Sequence, residues 1–483
     1  MAFDSHIRDT MARRSDRMWT AGRRYGLALA ALALASLSES ASAQVLPPDA
    51  KATCALDPTG FSRWFEGGRV QKDGVVTPAD SLNSPPDSDC DFYKWGERMF
   101  LWLTSPDRAG GKVFQSSVFF GVSPPGPDRK RTFLQTARDK ITISFSLRTP
   151  KPVEHGGLPG RQRGVLMSQN KSLVYSATMV NEVYAYLLTG KRHNRITLDR
   201  FPVLDDDMAK IIQFASDQGF TITQPNILAL QVKTAWVDTA RFREFNLDPS
   251  KYLTIRAEIP SYTADAANSR LTPTPAPNQT REAELALVGM HVVGSIRGGS
   301  GLVWATFEHV DNVPIQPYYY APADGGEPRE FRPQPAPDKK WLFSEKNCVD
   351  PNRMRMHARN PPHIDFEPGF SQTETTIGPS DTCRENAWGS LGREDRHVAA
   401  NTHIISLNDS IGRMLDGGDV RKNYMLIGAI WNFNEGATNL ANSTLETYEQ
   451  QNGGCLDVCH KGELDQGNLS HMFIPLQPLP LRR

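Results

Sequence analysis

An address precedes anything in this chain that reads as a folded body. Six arginines, ending in Arg23-Arg24, lead into the apolar core Leu27 to Ala35, and Ala41-Ser42-Ala43 supplies a cleavage signal just before Gln44. The pattern predicts a signal peptide over residues 1–43 and delivery to a periplasmic or secreted location. Export constrains the fold more than any other feature, because it puts all six cysteines where disulfides persist. Their spacing groups them as Cys54 with Cys90, Cys348 with Cys383, and the close pair Cys455 and Cys459. The simplest pairing is two local disulfides, Cys54–Cys90 and Cys348–Cys383. Each closes a loop of about 35 residues, for which chain entropy gives roughly 3–4 kcal/mol of stabilisation.

Composition excludes several partners. The 54 Lys and Arg balance 54 Asp and Glu, and removing residues 1–43 takes 6 basic and 4 acidic residues with it, leaving a net charge of about −2. No basic footprint for nucleic acid remains. The longest apolar run, Tyr25 to Leu37, is shorter than the ~20 residues a membrane span needs and lies inside the leader. No membrane span is expected after cleavage.

Periodicity predicts a mixed α+β body over residues 44–440. Phe92, Trp95, Met99 and Trp102 recur at helical spacing, with Ser88 or Asp89 to cap the start and Pro106 to mark the stop. Ile141 to Leu147 and Leu228 to Trp236 alternate as half-buried strands. Leu285 to Val293 is apolar on both faces, an interior strand, and Leu302 to Val310 pairs with it as a hairpin across Arg297 to Gly301. Residues 312–379 are rich in Pro, Gly, Asp and Arg and show no sustained period, so a long irregular segment held by the Cys348–Cys383 bridge is expected. Ile404, Leu407, Ile411 and Met414 restore a helix that stops at Gly417-Gly418, and an apolar element follows over Tyr424 to Phe433. One large body of mixed strands and helices results, without regular βαβ alternation.

The chemistry concentrates in residues 441–483. Cys455-Leu-Asp-Val-Cys459-His460 offers two thiols for thioether links to haem vinyl groups and an imidazole for the iron, with three residues between the cysteines where the usual spacing has two. A third disulfide beside an incidental histidine explains the same residues, and spacing alone leaves both readings open. A zinc site has less support, since no second C-x-x-C accompanies it.

Several segments together resemble a family of exported bacterial proteins labelled "cytochrome c family protein": Trp95–Pro106 (WGERMFLWLTSP), Leu228–Val237 (LALQVKTAWV), Leu287–Val293 (LVGMHVV), Trp304–Asn312 (WATFEHVDN) and Leu440–Tyr448 (LANSTLETY). The resemblance implies one covalent haem c per chain, attached near the C-terminus through Cys455 and Cys459 and ligated by His460. Only 24 residues follow Cys459. Any haem there must be sheltered by the upstream body, against which the C-terminal segment packs.

The sixth iron ligand decides the chemistry. A Met or His there favours electron transfer with a redox partner protein; an open position allows a haem-dependent oxidoreductase reaction on a small-molecule substrate. Met472 and His471 lie just past the motif, and His291, His309 and His403 are the candidates from the body. His291 and His403 also read as satisfied core histidines. His309-Val-Asp311 is the H-x-D half of a non-haem iron triad, or else part of a hydrogen-bonded strand end with Glu308 and Asn312. Serine-hydrolase, zincin and P-loop motifs are absent. The rival to a haem protein is a haem-free, disulfide-stabilised secreted binding protein that presents Tyr318-Tyr319-Tyr320 to a ligand.

Overall fold

A computed structural model describes residues 46–123, 126, 128, 130–134, 146–147, 164–265, 270–273, 280–299, 301–335, 338–345, 356–359, 363–366, 379–390, 392–415, 417–432, 435–437, 439–446, 450 and 473–481. The chain is α+β, as its periodicities predict. One antiparallel sheet is built from β1 (Phe119–Val122), β2 (Phe133–Leu134), β3 (Tyr175–Asn181), β4 (Leu230–Asp238), β5 (Thr254–Pro260), β6 (Thr280–Gly294), β7 (Val303–His309), β8 (Tyr424–Trp431) and β9 (Glu435–Gly436). The order is β9-β8-β7-β6-β4-β3-β1-β2, with β5 along the first half of β6 and Ser146–Leu147 against β3. The expected hairpin is present: β6 and β7 pair from Gly294↔Val303 to Gly289↔Glu308. Of the strand expected over Ile141 to Leu147, residues 141–145 lie outside the described residues.

One face of the sheet is covered by α1 (Asp89–Leu103) and α4 (Asp395–Met414). Ser88 caps α1, and Asp91 reaches back to the Ser88 backbone N–H at 3.1 Å, so the first turn is closed from both sides. The helical spacing read from the sequence is the packing stripe: Phe92 stacks on Trp431 at 4.5 Å, Phe100 on Phe307 at 4.4 Å, and Trp95 donates to Ser81 Oγ at 3.0 Å. These buried side chains contribute roughly 1.5–3 kcal/mol each. Helix and sheet meet closely at Gly96, where an added Cβ would stand 2.8 Å from Ala305 Cβ.

The opposite face is divided along the strand direction. At one end Val174, Ala235, Val237, Ala286 and Val288 form an apolar patch with Leu445. At the other, Val180 and Val293 join α2 (Glu182–Arg192), α3 (Asp205–Asp217) and Phe473 in a second. A polar strip crosses the sheet between them.

Two expectations need correction. The segment 312–379 is not irregular throughout: Tyr318–Tyr320 pairs with Arg329–Phe331, and Met356–Arg359 and His363–Phe366 are central strands of a second antiparallel sheet with Gly164–Val165, Arg270–Pro273 and Tyr262–Asp265. Strands of two to four residues are too short to show a period. The tyrosine run is not an open surface either: Tyr318 and Tyr320 are 4% and 5% exposed, and Tyr319 is half-buried. Tyr318 meets Trp388 edge-on, and the Tyr320 hydroxyl donates to Asp49 at 2.6 Å.

Cys54 and Cys90 form the expected disulfide. Cys383 is also disulfide-bonded. Cys348, with which the sequence pairs it, lies outside the described residues, as do Cys455 and Cys459. Among the described residues no helix is long and apolar enough to cross a membrane.

Candidate functional site

The polar strip follows from strand register. Thr178 on β3 stands opposite Lys233 on β4, Lys233 opposite His291 on β6, and His291 opposite Thr306 on β7. Period-two alternation sends this row to the same side of the sheet as the two apolar patches, so the strip interrupts a surface that is otherwise dry. Glu446 descends onto it. The His291 Nε2–H donates to Glu446 Oε1 at 2.7 Å, and Lys233 Nζ lies 3.8 Å from the same oxygen. The three side chains are 14%, 7% and 17% exposed, enough burial to strengthen these charge-assisted contacts. A carboxylate that fixes an imidazole by one nitrogen leaves the ring oriented for proton exchange or ligation at the other.

Glu446 is held there by the turn that carries it. Asn442 donates to Thr306 Oγ1 at 2.8 Å and to the Phe307 carbonyl at 3.0 Å, and its Oδ1 accepts from the Thr444 N–H at 2.9 Å. Beneath it, Glu308 accepts from the Ser443 N–H at 2.7 Å and from the Arg384 guanidinium at 2.6 Å, a pair almost wholly removed from water. Farther on, Gln450 donates to the Cys383 carbonyl at 2.7 Å and accepts from the Glu385 N–H at 2.9 Å.

Close approach of this turn to β6 requires a missing side chain. A Cβ on Gly289 would collide with Thr444 Oγ1 and stand 2.9 Å from Asn442 Oδ1. Gly289→Ala is therefore expected to lower stability by about 1–3 kcal/mol through overpacking. It should also speed limited proteolysis between residues 446 and 473; cleavage there at the parental rate would contradict this packing.

The motif residues Cys455, Cys459 and His460, with His471 and Met472, lie outside the described residues. The chain on either side of them is described. Before them Gln450 is bonded to Cys383 and Glu385; after them the Phe473 ring packs on Tyr184 and Phe201, and its carbonyl accepts from Arg192 at 3.1 Å. Leu445 and Phe473 belong to the two apolar patches that flank the polar strip.

The body histidines separate clearly. His309 is fully buried and stacked 3.7 Å from Tyr252; Nε2 donates to the Lys251 carbonyl and Nδ1 accepts from the Asp311 N–H. Burial pushes it down to about 4, and Asp311 is paired with Lys339. Both ring nitrogens are used, so His309-Val-Asp311 is the hydrogen-bonded strand end and not half of an iron triad. His403 lies beneath the other face of the sheet, on α4, with Nδ1 bonded to Thr53 Oγ1 at 2.8 Å. It is not a core histidine: the face of α4 that it shares with Ser406 and Ser410 holds the backbone of residues 53–56. His291 alone of the three stands on the face that carries the Asn442–Glu446 turn. Sequence reading missed Glu446 and Lys233, whose meeting with His291 spans up to 213 positions of chain and leaves no local pattern.

Comparison with protein-family models, with curated proteins and with solved structures finds no match.

Proposed function

We propose that this chain is an exported c-type haem protein that works in redox chemistry, with the porphyrin held by Cys455 and Cys459 and the iron ligated by His460. The observation that carries the reading is the donor set itself: two thiols followed directly by an imidazole, in a chain with an export leader. The donors fit the group in chemical kind, and the flanking anchors support a place for it beside the body. Leu445 and Phe473, on either side of the motif in sequence, are packed into two buried apolar clusters of the body, while the strip between them carries charge. Such a haem would supply one-electron chemistry at iron.

In this reading the residues of the body have separate tasks. The Asn442 and Glu308 contacts fix where the attachment segment begins. Arg192 and the aromatic cluster around Phe473 fix where it ends. His291, held by Glu446 and flanked by Lys233, is positioned to exchange a proton with whatever binds over the strip. Met472 is the proposed sixth ligand for electron transfer with a protein partner; without it, an oxidoreductase reaction on a small molecule becomes available.

Haem staining of the denatured protein, produced with the haem-attachment machinery, tests the proposal. The parent should stain, and Cys455→Ala should not. A haem-free secreted binding protein is the rival, and the Cys383 disulfide favours it to this extent: if its partner is Cys455 or Cys459, no thiol pair is left for haem.

A further inference from the structure

We propose that Cys54, Cys90 and His403 form a redox-gated metal site, closed as a cross-link when oxidised and open as a Cys2His site for a borderline cation such as Zn2+ once a dithiol has reduced it. The proposal is independent of the haem reading. It rests on one juxtaposition: both sulfurs and a ring nitrogen of His403 lie within 4.8 Å of one another.

The important feature is that each ligand is held by something other than the disulfide. The Cys54 backbone N–H donates to Ser406 Oγ at 2.9 Å and the Leu56 N–H to Ser410 Oγ at 3.1 Å, binding this stretch along α4. His403 is on the same helix, three residues before Ser406, and its Nδ1 is bonded to Thr53 Oγ1. Cys90 is in the capped first turn of α1. Opening the disulfide therefore leaves the three ligands in place, and a rotation about each cysteine χ1 can bring the sulfurs to the separation of about 3.8 Å that tetrahedral zinc with ~2.3 Å bonds requires.

The surroundings suit the open form. Asp89 faces His403 and adds negative charge for a cation. Cys54 is buried while Cys90 and His403 are half-buried, so the site lies within reach of solvent. The chemistry balances. The dithiol passes two electrons and two protons to the disulfide and becomes a disulfide itself; Zn2+ then displaces the two thiol protons and takes both sulfurs as thiolates.

The experiment uses the full chain, reduced with a dithiol and desalted without oxygen, then alkylated with iodoacetamide with and without Zn2+. Peptide masses read each cysteine separately, so Cys348, Cys383, Cys455 and Cys459 do not confuse the result. Zinc should slow alkylation of Cys90 at least tenfold, and Co2+ in its place should give thiolate-to-cobalt charge-transfer absorption. In His403→Ala, whose oxidised form keeps the parental circular dichroism, that protection should need at least tenfold more zinc. Equal alkylation of Cys90 with and without zinc would overturn the proposal. So would unchanged protection in His403→Ala, or loss of the folded spectrum on reduction.

Discussion

Arg384→Met is expected to destabilise the protein by about 3–5 kcal/mol, among the largest effects a single substitution should have here. Arg384 is 1% exposed and its partner Glu308 is 0% exposed. Removing the guanidinium leaves a carboxylate sealed from water with, among the described residues, only the Ser443 N–H and hydroxyl to satisfy it. The Arg384 Nε and Nη1 are themselves without hydrogen-bond partners, so the pair is not fully compensated even in the parent. Replacing both residues with apolar ones of similar volume should therefore recover most of the loss. Urea midpoints of the two single variants and the double variant measure this. Single variants within 1 kcal/mol of the parent would mean that the pair does not hold the Asn442–Glu446 turn.

Glu97 gives the second large effect, one that depends on pH. It lies on α1 facing the sheet, 4% exposed, and burial pushes its carboxyl up to about 8 against the hydrogen bond from the Leu426 backbone. The folded chain thus holds a proton that the unfolded chain releases above its ordinary value near 4.5. The contribution of this group to stability is complete below that value and declines as pH rises towards 8. His309 acts in the opposite sense. With its folded value near 4 and an ordinary value of 6.5, it weakens the fold as pH falls through that interval. The two effects oppose each other between 4.5 and 6.5, and above 6.5 only Glu97 remains. Between pH 6.5 and 8 the parent should lose on the order of 2 kcal/mol that Glu97→Gln does not lose. Parallel urea midpoints for the two proteins across that range would contradict the buried, protonated carboxyl.

What could be read in the sequence depended on how far apart the interacting residues are. The α1 stripe, its Ser88 cap and the β6–β7 hairpin are local patterns, and each was legible. The run from β3 into α2 was not. Asn181 both ends the strand and caps the helix, accepting from the Tyr184 N–H while it donates to the Leu228 carbonyl, so strand and helix join with no loop between them. The second sheet escaped notice because its strands, two to four residues long, hold at most two periods of alternation. The motif cysteines stood out through their spacing, whereas the polar strip of the sheet did not: His291 meets Glu446 across 155 positions, and Ser443 meets Glu308 across 135. His291 looked like a core residue because its strand is apolar on both sides, and only the sheet register shows that it falls in the one polar row.

The mass of the mature chain, followed by mapping of its cysteine peptides, examines the haem assignment at the level of individual bonds. Material matured with the haem-attachment machinery should be coloured and heavier by one haem, with residues 455 and 459 as thioethers and Cys383 joined to Cys348. Colourless protein of unmodified mass, with either of those two sulfurs in a disulfide, would contradict it.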